Sequence, residues 1–243
     1  MNNILYAYLL STIAGMSSLI GLIPIFLKKT KENKIIPISL FFASGVMITI
    51  SIIDLIPESF SLLKNKFYLI PSVLILLIFI MIGFIISSII DKKTSSNDNL
   101  YRVGIISMIA IIIHNIPEGI ASFLTSNTNI GLSLIVAISC HNIPEGISIS
   151  VPIYYSTKSK FKAFLYTFIS GLSEIFGAFI AHIFLFNKNI NIMSYLLAII
   201  AGIMLQISIF ELIPTACNYK LKKGIIYIIL GIIFMYITHI LLK

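Results

Sequence analysis

IISMIAIIIHNIPEGIASFLT, residues 105–125, decides the fold. It is apolar over the length of about 20 residues that a helix needs to cross a bilayer, yet His114, Asn115 and Glu118 lie inside it. The core of this stretch, HNIPEGI at 114–120, returns unchanged at 141–147 within a second apolar run. Outward from these two copies, further apolar runs fill nearly the whole chain. They predict eight spans, at about 4–27, 35–58, 67–90, 101–125, 130–154, 161–186, 192–216 and 223–242, with ends good to about four residues.

The composition agrees. Of 243 residues, 58% are apolar and 11% charged, with a mean hydropathy of +1.04, whereas a soluble chain carries about 25% charged residues. A cytosolic enzyme is excluded, and eight spans leave no room for a second, soluble domain. The expectation is an all-α polytopic membrane protein, one transmembrane domain over residues 1–243. Its net charge of +8 comes from short basic clusters between apolar runs. These are loop charges, so the expected partner is the lipid bilayer and not nucleic acid. Cys140 and Cys217 fall in or near spans and imply no disulfide framework. The first run is followed by KKTKENK (28–34) and not by a small-residue cleavage site, so it reads as a span and not a removable signal. DKKTSSNDN (91–99) reads as a flexible linker.

Basic loops stay on the cytoplasmic side. Thirteen of the seventeen Lys and Arg fall in the first, third, fifth and seventh loops, leaving Lys64, Lys66, Lys188 and Lys243 for the other side. Both termini are therefore expected outside a cell (plasma or inner) membrane. With no Trp in the chain, Tyr101, Tyr154, Tyr155 and Tyr219 take the interfacial positions near span ends.

Internal repeats sharpen the topology. SGVMITISIIDLIP (44–57) matches AGIMLQISIFELIP (201–214) at an offset of 157, with Asp54 opposite Glu211. AGMSSLIG (14–21) matches SGLSEIFG (170–177) at an offset of 156, with Ser18 opposite Glu174. Spans one to three (about 4–90) thus return as spans six to eight (about 161–242). An odd number of spans separates each pair, so the copies run in opposite directions. Spans four and five (about 101–154) stand between them, a 3+2+3 inverted-repeat arrangement typical of transporters with a midplane site.

Chemistry is concentrated in few residues. Glu118, Glu145, Glu174, Asp54, Glu211 and all four histidines fall inside predicted spans. A charge at the bilayer centre costs at least about 2.5 kcal/mol. No Lys or Arg lies in a span interior to offset it, but a bound cation would. His114 and Glu118, four residues apart, share a helix face, as do His141 and Glu145, with Asn115 and Asn142 flanking them. Imidazole plus carboxylate suits Zn(II), Fe(II), Co(II) or Mn(II) better than Ca(II) or Mg(II). Pro117 and Pro144 should free the carbonyls of Ile113 and Cys140 and kink both spans. Glu174 reads as a further ligand or a packing carboxylate. Asp54 and Glu211 read as access-path groups, and Glu58 as a vestibule or solvated end residue. His182 and His239 read as packed or interfacial, and Cys140 as a small buried hydrophobe.

HNIPEG twice, SGLSE (170–174) and AGIMLQISIFELIP together resemble the ZIP (Zrt/Irt-like) divalent metal transporters. The resemblance covers nearly the whole chain and implies eight spans with both termini outside. It implies a zinc-type position of Glu118, His141 and Glu145 with His114 close by, and a second position of Asn115, Glu118, Asn142, Glu145 and Glu174. Some members have Asp where Asn142 stands, so the second position carries less negative charge here. The His-rich loop of many relatives is absent, since 91–99 contains no His. The function so implied is uptake of Zn2+, with Fe2+, Mn2+, Co2+ and Cd2+ as further ions, by alternating access. The ion is substrate and no cofactor is expected. A homodimer is one assembly such a bundle can adopt. The rival reading is an intramembrane zinc-dependent hydrolase, whose metal would activate water. No HExxH occurs to support it.

Overall fold

The structure, a computed structural model, describes residues 3–26, 31–94, 98–126, 131–185 and 193–242. Lys28, Lys29, Lys188, Lys243 and residues 95–97 of the expected linker lie outside the described residues. Among the described residues there is helix and no strand. Seven helices are long and apolar enough to cross a membrane: α1 Asn3–Phe26, α2 Glu32–Lys64, α3 Leu69–Lys93, α4 Asn99–Thr125, α5 Gly131–Thr157, α6 Lys160–Phe184 and α7 Met193–Cys217. The last, α8 Ile225–Leu242, has 18 residues, a rise of about 27 Å, just short of a hydrocarbon core of about 30 Å. All eight expected spans are present as helices.

Local chemistry sets several boundaries. Asp98 caps α4, its Oδ1 accepting from the Leu100 amide at 2.9 Å and the Tyr101 amide at 3.2 Å. Ser159 caps α6 by accepting from the Lys162 amide at 3.2 Å. Lys158, with φ 56, turns the chain between α5 and α6. Several buried hydroxyls are satisfied within the helices, as where Ser44, Thr49, Ser51, Ser148, Ser170 and Ser208 donate to carbonyls three or four residues back.

Pro117 and Pro144 sit inside helices that run on without a break. Irregular backbone appears instead as π turns at Ser51–Leu55 in α2 and Ser208–Leu212 in α7. Each immediately precedes the turn opened by Pro57 or Pro214. The wider turn absorbs the ring and the missing amide donor.

The core lies between α2, α4, α5 and α7, where Met47, Ile50, Ile106, Ile111, Ile149, Ile153, Ile200 and Met204 pack together. The most apolar stretch of α2 is 78% buried and that of α3 only 17%, so α2 is central and α3 faces lipid. Helix pairs approach through small residues, as expected where packing and not hydrophobicity holds helices together. A Cβ on Gly45 would stand 2.2 Å from the Ile228 carbonyl, bringing α2 onto α8. One on Gly202 would stand 2.0 Å from the Ile80 carbonyl, bringing α7 onto α3. A Cβ on Gly119 of α4 would stand 1.8 Å from the Glu174 carbonyl of α6, and one on Gly146 of α5 would stand 1.9 Å from the Ser18 carbonyl of α1. Gly15 and Gly171 face each other, where a Cβ on either would stand 2.4 or 2.5 Å from the other's carbonyl. Gly15 and Gly171 are repeat partners, as are Ser18 and Glu174, the residues that Gly146 and Gly119 meet, and Gly45 and Gly202 are partners at the offset of 157.

Candidate metal centre

Helices α4 and α5 lie side by side, so their HNIPEG segments face one another at matching depth. His141 Nε2 is 2.7 Å from Glu118 Oε1. His114 Nε2 is 3.0 Å from the same oxygen and 3.3 Å from Glu145 Oε1, aligned with neither for a hydrogen bond. Ligand atoms of His114, Glu118 and His141 all lie within 4.8 Å of one another. Glu145, Glu174, Asn115 and Asn142 are fully buried, and His114 nearly so.

Two asparagines tie this centre to the flanking helices. Asn115 Nδ2 donates to the Ser170 carbonyl of α6 at 3.1 Å, and Asn142 Nδ2 donates to the Ala14 carbonyl of α1 at 2.9 Å. Ala14 and Ser170 are themselves repeat partners. Asn142 Nδ2 also donates to Glu174 Oε2 at 2.9 Å, which brings the α6 carboxylate to the α4–α5 pair. Because both amides are spent on carbonyls, both Oδ1 atoms are left as acceptors.

The acceptors outnumber the donors. Asn115 Oδ1, Asn142 Oδ1, Glu118 Oε2, both Glu145 oxygens and Glu174 Oε1 are buried with no hydrogen-bond partner among the described residues. Buried polar atoms are nearly always satisfied in native proteins. Both ring nitrogens of His114 are likewise without a hydrogen-bond partner, so carboxylate, amide-oxygen and imidazole groups of metal-ligand type gather here. No Lys or Arg occurs from 103 to 157 to pair with them.

A cavity of about 400 Å³ leads away from the centre, and His114, Glu118 and His141 form its floor. Its walls carry Asp54, Glu58, Thr125, Ser133, Met193 and His239. These lie toward the C-terminal ends of α2, α4 and α8 and the N-terminal ends of α5 and α7. In an antiparallel bundle that is one end of the molecule.

The structure therefore brings together all seven sequence-derived candidates, His114, Asn115, Glu118, His141, Asn142, Glu145 and Glu174. His182 is a packed residue as expected, its Nδ1 3.0 Å from the Tyr8 hydroxyl and its ring stacked on Phe123. Two further pairings involve in-span carboxylates, and the first departs from the expectation that no Lys or Arg offsets one of them. Arg102, at the first turn of α4, reaches across to Glu211 Oε2 of α7 at 3.3 Å while also pairing with Asp91 of α3. His239 Nδ1 lies 2.6 Å from Asp54 Oδ1 and lines the cavity. Neither pairing has a local sequence signal, because each joins residues more than a hundred positions apart. The long Arg102 side chain carries its charge to a carboxylate that its own backbone position does not approach.

Among the described residues, a helical membrane bundle carries buried imidazole and carboxylate groups on a cavity, an arrangement suited to an ion-translocating protein. Residues 91–239 match the ZIP Zinc transporter family. The chain is 36% identical to the zinc transporter ZupT of Clostridium perfringens, over 99% of this chain and 97% of that protein. It is 35% identical to that of Streptococcus mutans, over 97% of each chain, and 37% identical to that of Chlorobaculum parvum, over 90% of each. The chain belongs to the ZIP family, whose members are transporters, and the hydrolase reading falls away.

Proposed function

We propose that this protein imports Zn2+ across the cell membrane by alternating access, using His114, Glu118, His141 and Glu145 as the principal ligands. Asn115, Asn142 and Glu174 supply a deeper, less charged position that Glu118 and Glu145 adjoin. The observation that carries this reading is the buried set of unpartnered acceptors beside two imidazoles. Fe2+, Mn2+, Co2+ and Cd2+ are further substrates, since the donor set is of the borderline type that selects weakly among them.

Residues 1–243 act as one transmembrane unit, with inverted repeats at about 4–90 and 161–242 around the ligand pair at about 101–154. Support comes from contacts that exchange under the repeat: Gly119 with Gly146, Asn115 with Asn142, and Gly15 meeting Gly171. Such symmetry gives two related arrangements of the same parts, one open to each side. The cavity end carries both termini and faces outward, because the opposite end holds most of the basic residues. Each path is contained in one chain, so a homodimer would carry two.

Uptake of Zn2+ into proteoliposomes tests this. Wild type should load the vesicles, and Glu118→Ala and Glu145→Ala should not. Equal uptake by those variants would refute the site, and competition among the five ions in the same assay orders their preference.

A further inference from the structure

The cavity holds a second group of ligand-type side chains that import through the central cluster does not use. Asp54 and His239 meet there at 2.6 Å, with side chains 32% and 15% exposed, and Glu58 lines the same space one turn beyond Asp54. A tie between α2 and α8 would explain a buried pair, but these helices already meet closely, with Gly45 against the Ile228 carbonyl and Gly231 against the Phe42 carbonyl. A pair that serves only to join them has no reason to open onto the path of the ion.

The repeat partner of Asp54 gives the contrast. Glu211 occupies the same register of the same kind of π turn, yet it pairs with Arg102, a fixed cation that cannot yield its place to a metal. Asp54 pairs instead with an imidazole, which becomes a metal ligand once it is neutral. The carboxylate at the closed end is neutralised by the protein, and the one at the open end is left exchangeable.

We propose that Asp54 and His239, with Glu58 beside them, form a loading site for a divalent transition-metal ion, which then passes to the His114–Glu118–His141 floor. Two protein ligands leave water in the remaining coordination positions, so the ion is only partly dehydrated there. It is held weakly enough to move on, as conduction through successive sites requires. This inference rests on the import reading and adds a site to it.

Two measurements test it. In proteoliposomes, His239→Gln and Asp54→Asn should each raise the KM for Zn2+ roughly fivefold or more, with kcat within about twofold of wild type. In detergent, the Glu118→Gln/His141→Gln protein should still bind about one Co2+ per chain, read by its visible absorption, and adding His239→Gln should abolish it. Asp54→Asn keeps the side chain's size and carries the test if His239→Gln fails to fold. An unchanged KM in the substituted proteins, or no Co2+ bound by the Glu118→Gln/His141→Gln protein, overturns the loading site. Absence of Zn2+ uptake by wild type would instead overturn import, while the Co2+ titration would still report on the outer pair.

Discussion

At the scale of single residues, the centre is short of positive charge and of donors. A buried acceptor left unpaired costs roughly 1–3 kcal/mol, and Glu145, Glu174, Asn115 and Asn142 present several together. The ion-free protein is thus least comfortable at its middle, and a bound cation relieves it. Zn2+ at a hundred times its Kd should stabilise the folded state by about 2.7 kcal/mol, measured as a raised unfolding midpoint in detergent, and Glu145→Gln should remove most of that gain without lowering the ion-free midpoint. Asn142→Asp acts in the opposite direction. It would exchange a donor for an acceptor 2.9 Å from both the Ala14 carbonyl and Glu174. The ion-free midpoint should fall by the equivalent of about 1–3 kcal/mol, and Zn2+ should restore more of it than in wild type. Asp98 offers a pH test outside the membrane-spanning segments. Burial pushes its carboxyl up, but hydrogen bonds from the Ser156 hydroxyl and the Tyr101 and Leu100 amides outweigh this and hold it below the ordinary aspartate value. A depressed folded value means the cap contributes fully above the unfolded pKa and is lost as pH falls through the folded one. Asp98→Ala should cost about 1 kcal/mol at pH 7, and the difference from wild type should shrink as the pH drops below the usual aspartate range. The approach of His114, Glu118 and His141 was legible in the sequence, because the i, i+4 spacing of His and Glu is local and occurs twice. Arg102 with Glu211, and Asp54 with His239, were not, because no periodicity reports which distant helices will touch.

Among the elements, the eight helices follow from apolar run length, since a bilayer leaves the backbone few alternatives. The expected 101–125 and 130–154 emerge as Asn99–Thr125 and Gly131–Thr157. The expected 35–58 underestimates α2, which continues to Lys64, because Ile56–Lys64 is amphipathic and reads as the end of a hydrophobic span. The prolines were read as marks of special backbone, with kinks expected at Pro117 and Pro144. At Pro117 and Pro144 the helices absorb the lost donor without changing their winding, whereas the segments before Pro57 and Pro214 widen into π turns. The repeats locate the close approaches more directly. Gly119 and Gly146 each follow a ligand glutamate by one residue and lie against a carbonyl of the neighbouring helix. Gly146→Ala would drive a methyl to 1.9 Å from the Ser18 carbonyl, a backbone atom that moves only with α1. Overpacking of this kind costs about 1–3 kcal/mol. Here it would also shift Glu145 off the centre, so Zn2+ affinity should fall more than tenfold in a binding titration while the protein remains helical by circular dichroism. Unaltered affinity would mean that the α1–α5 contact does not position the ligands.

For the whole molecule, what matters is that the two ends differ. One is open from Thr125, Ser133 and His239 down to the ligand floor, and the other is drawn together where Arg102 of α4 holds Asp91 of α3 and Glu211 of α7. Under the proposed orientation the basic residues put that second end in the cytoplasm, and among the described residues the cavity would then face outward. Native Cys217 is exposed at the end of α7 on the Arg102 side, and Ser133 lies on the cavity wall at the other. In a Cys140→Ala background, a membrane-impermeant maleimide applied to intact cells should leave Cys217 unmodified until the membrane is permeabilised. With Cys217→Ser and Ser133→Cys added, the same reagent should react from outside without permeabilisation. Zn2+ should alter that second rate, because an ion that favours closure of the cavity removes the thiol from the medium, and the effect should disappear with Glu118→Ala. Labelling of Cys217 from outside together with protection of Ser133→Cys would reverse the orientation. The cavity would then be the cytoplasmic mouth, and the Asp54–His239 pair would stand on the exit side of the path.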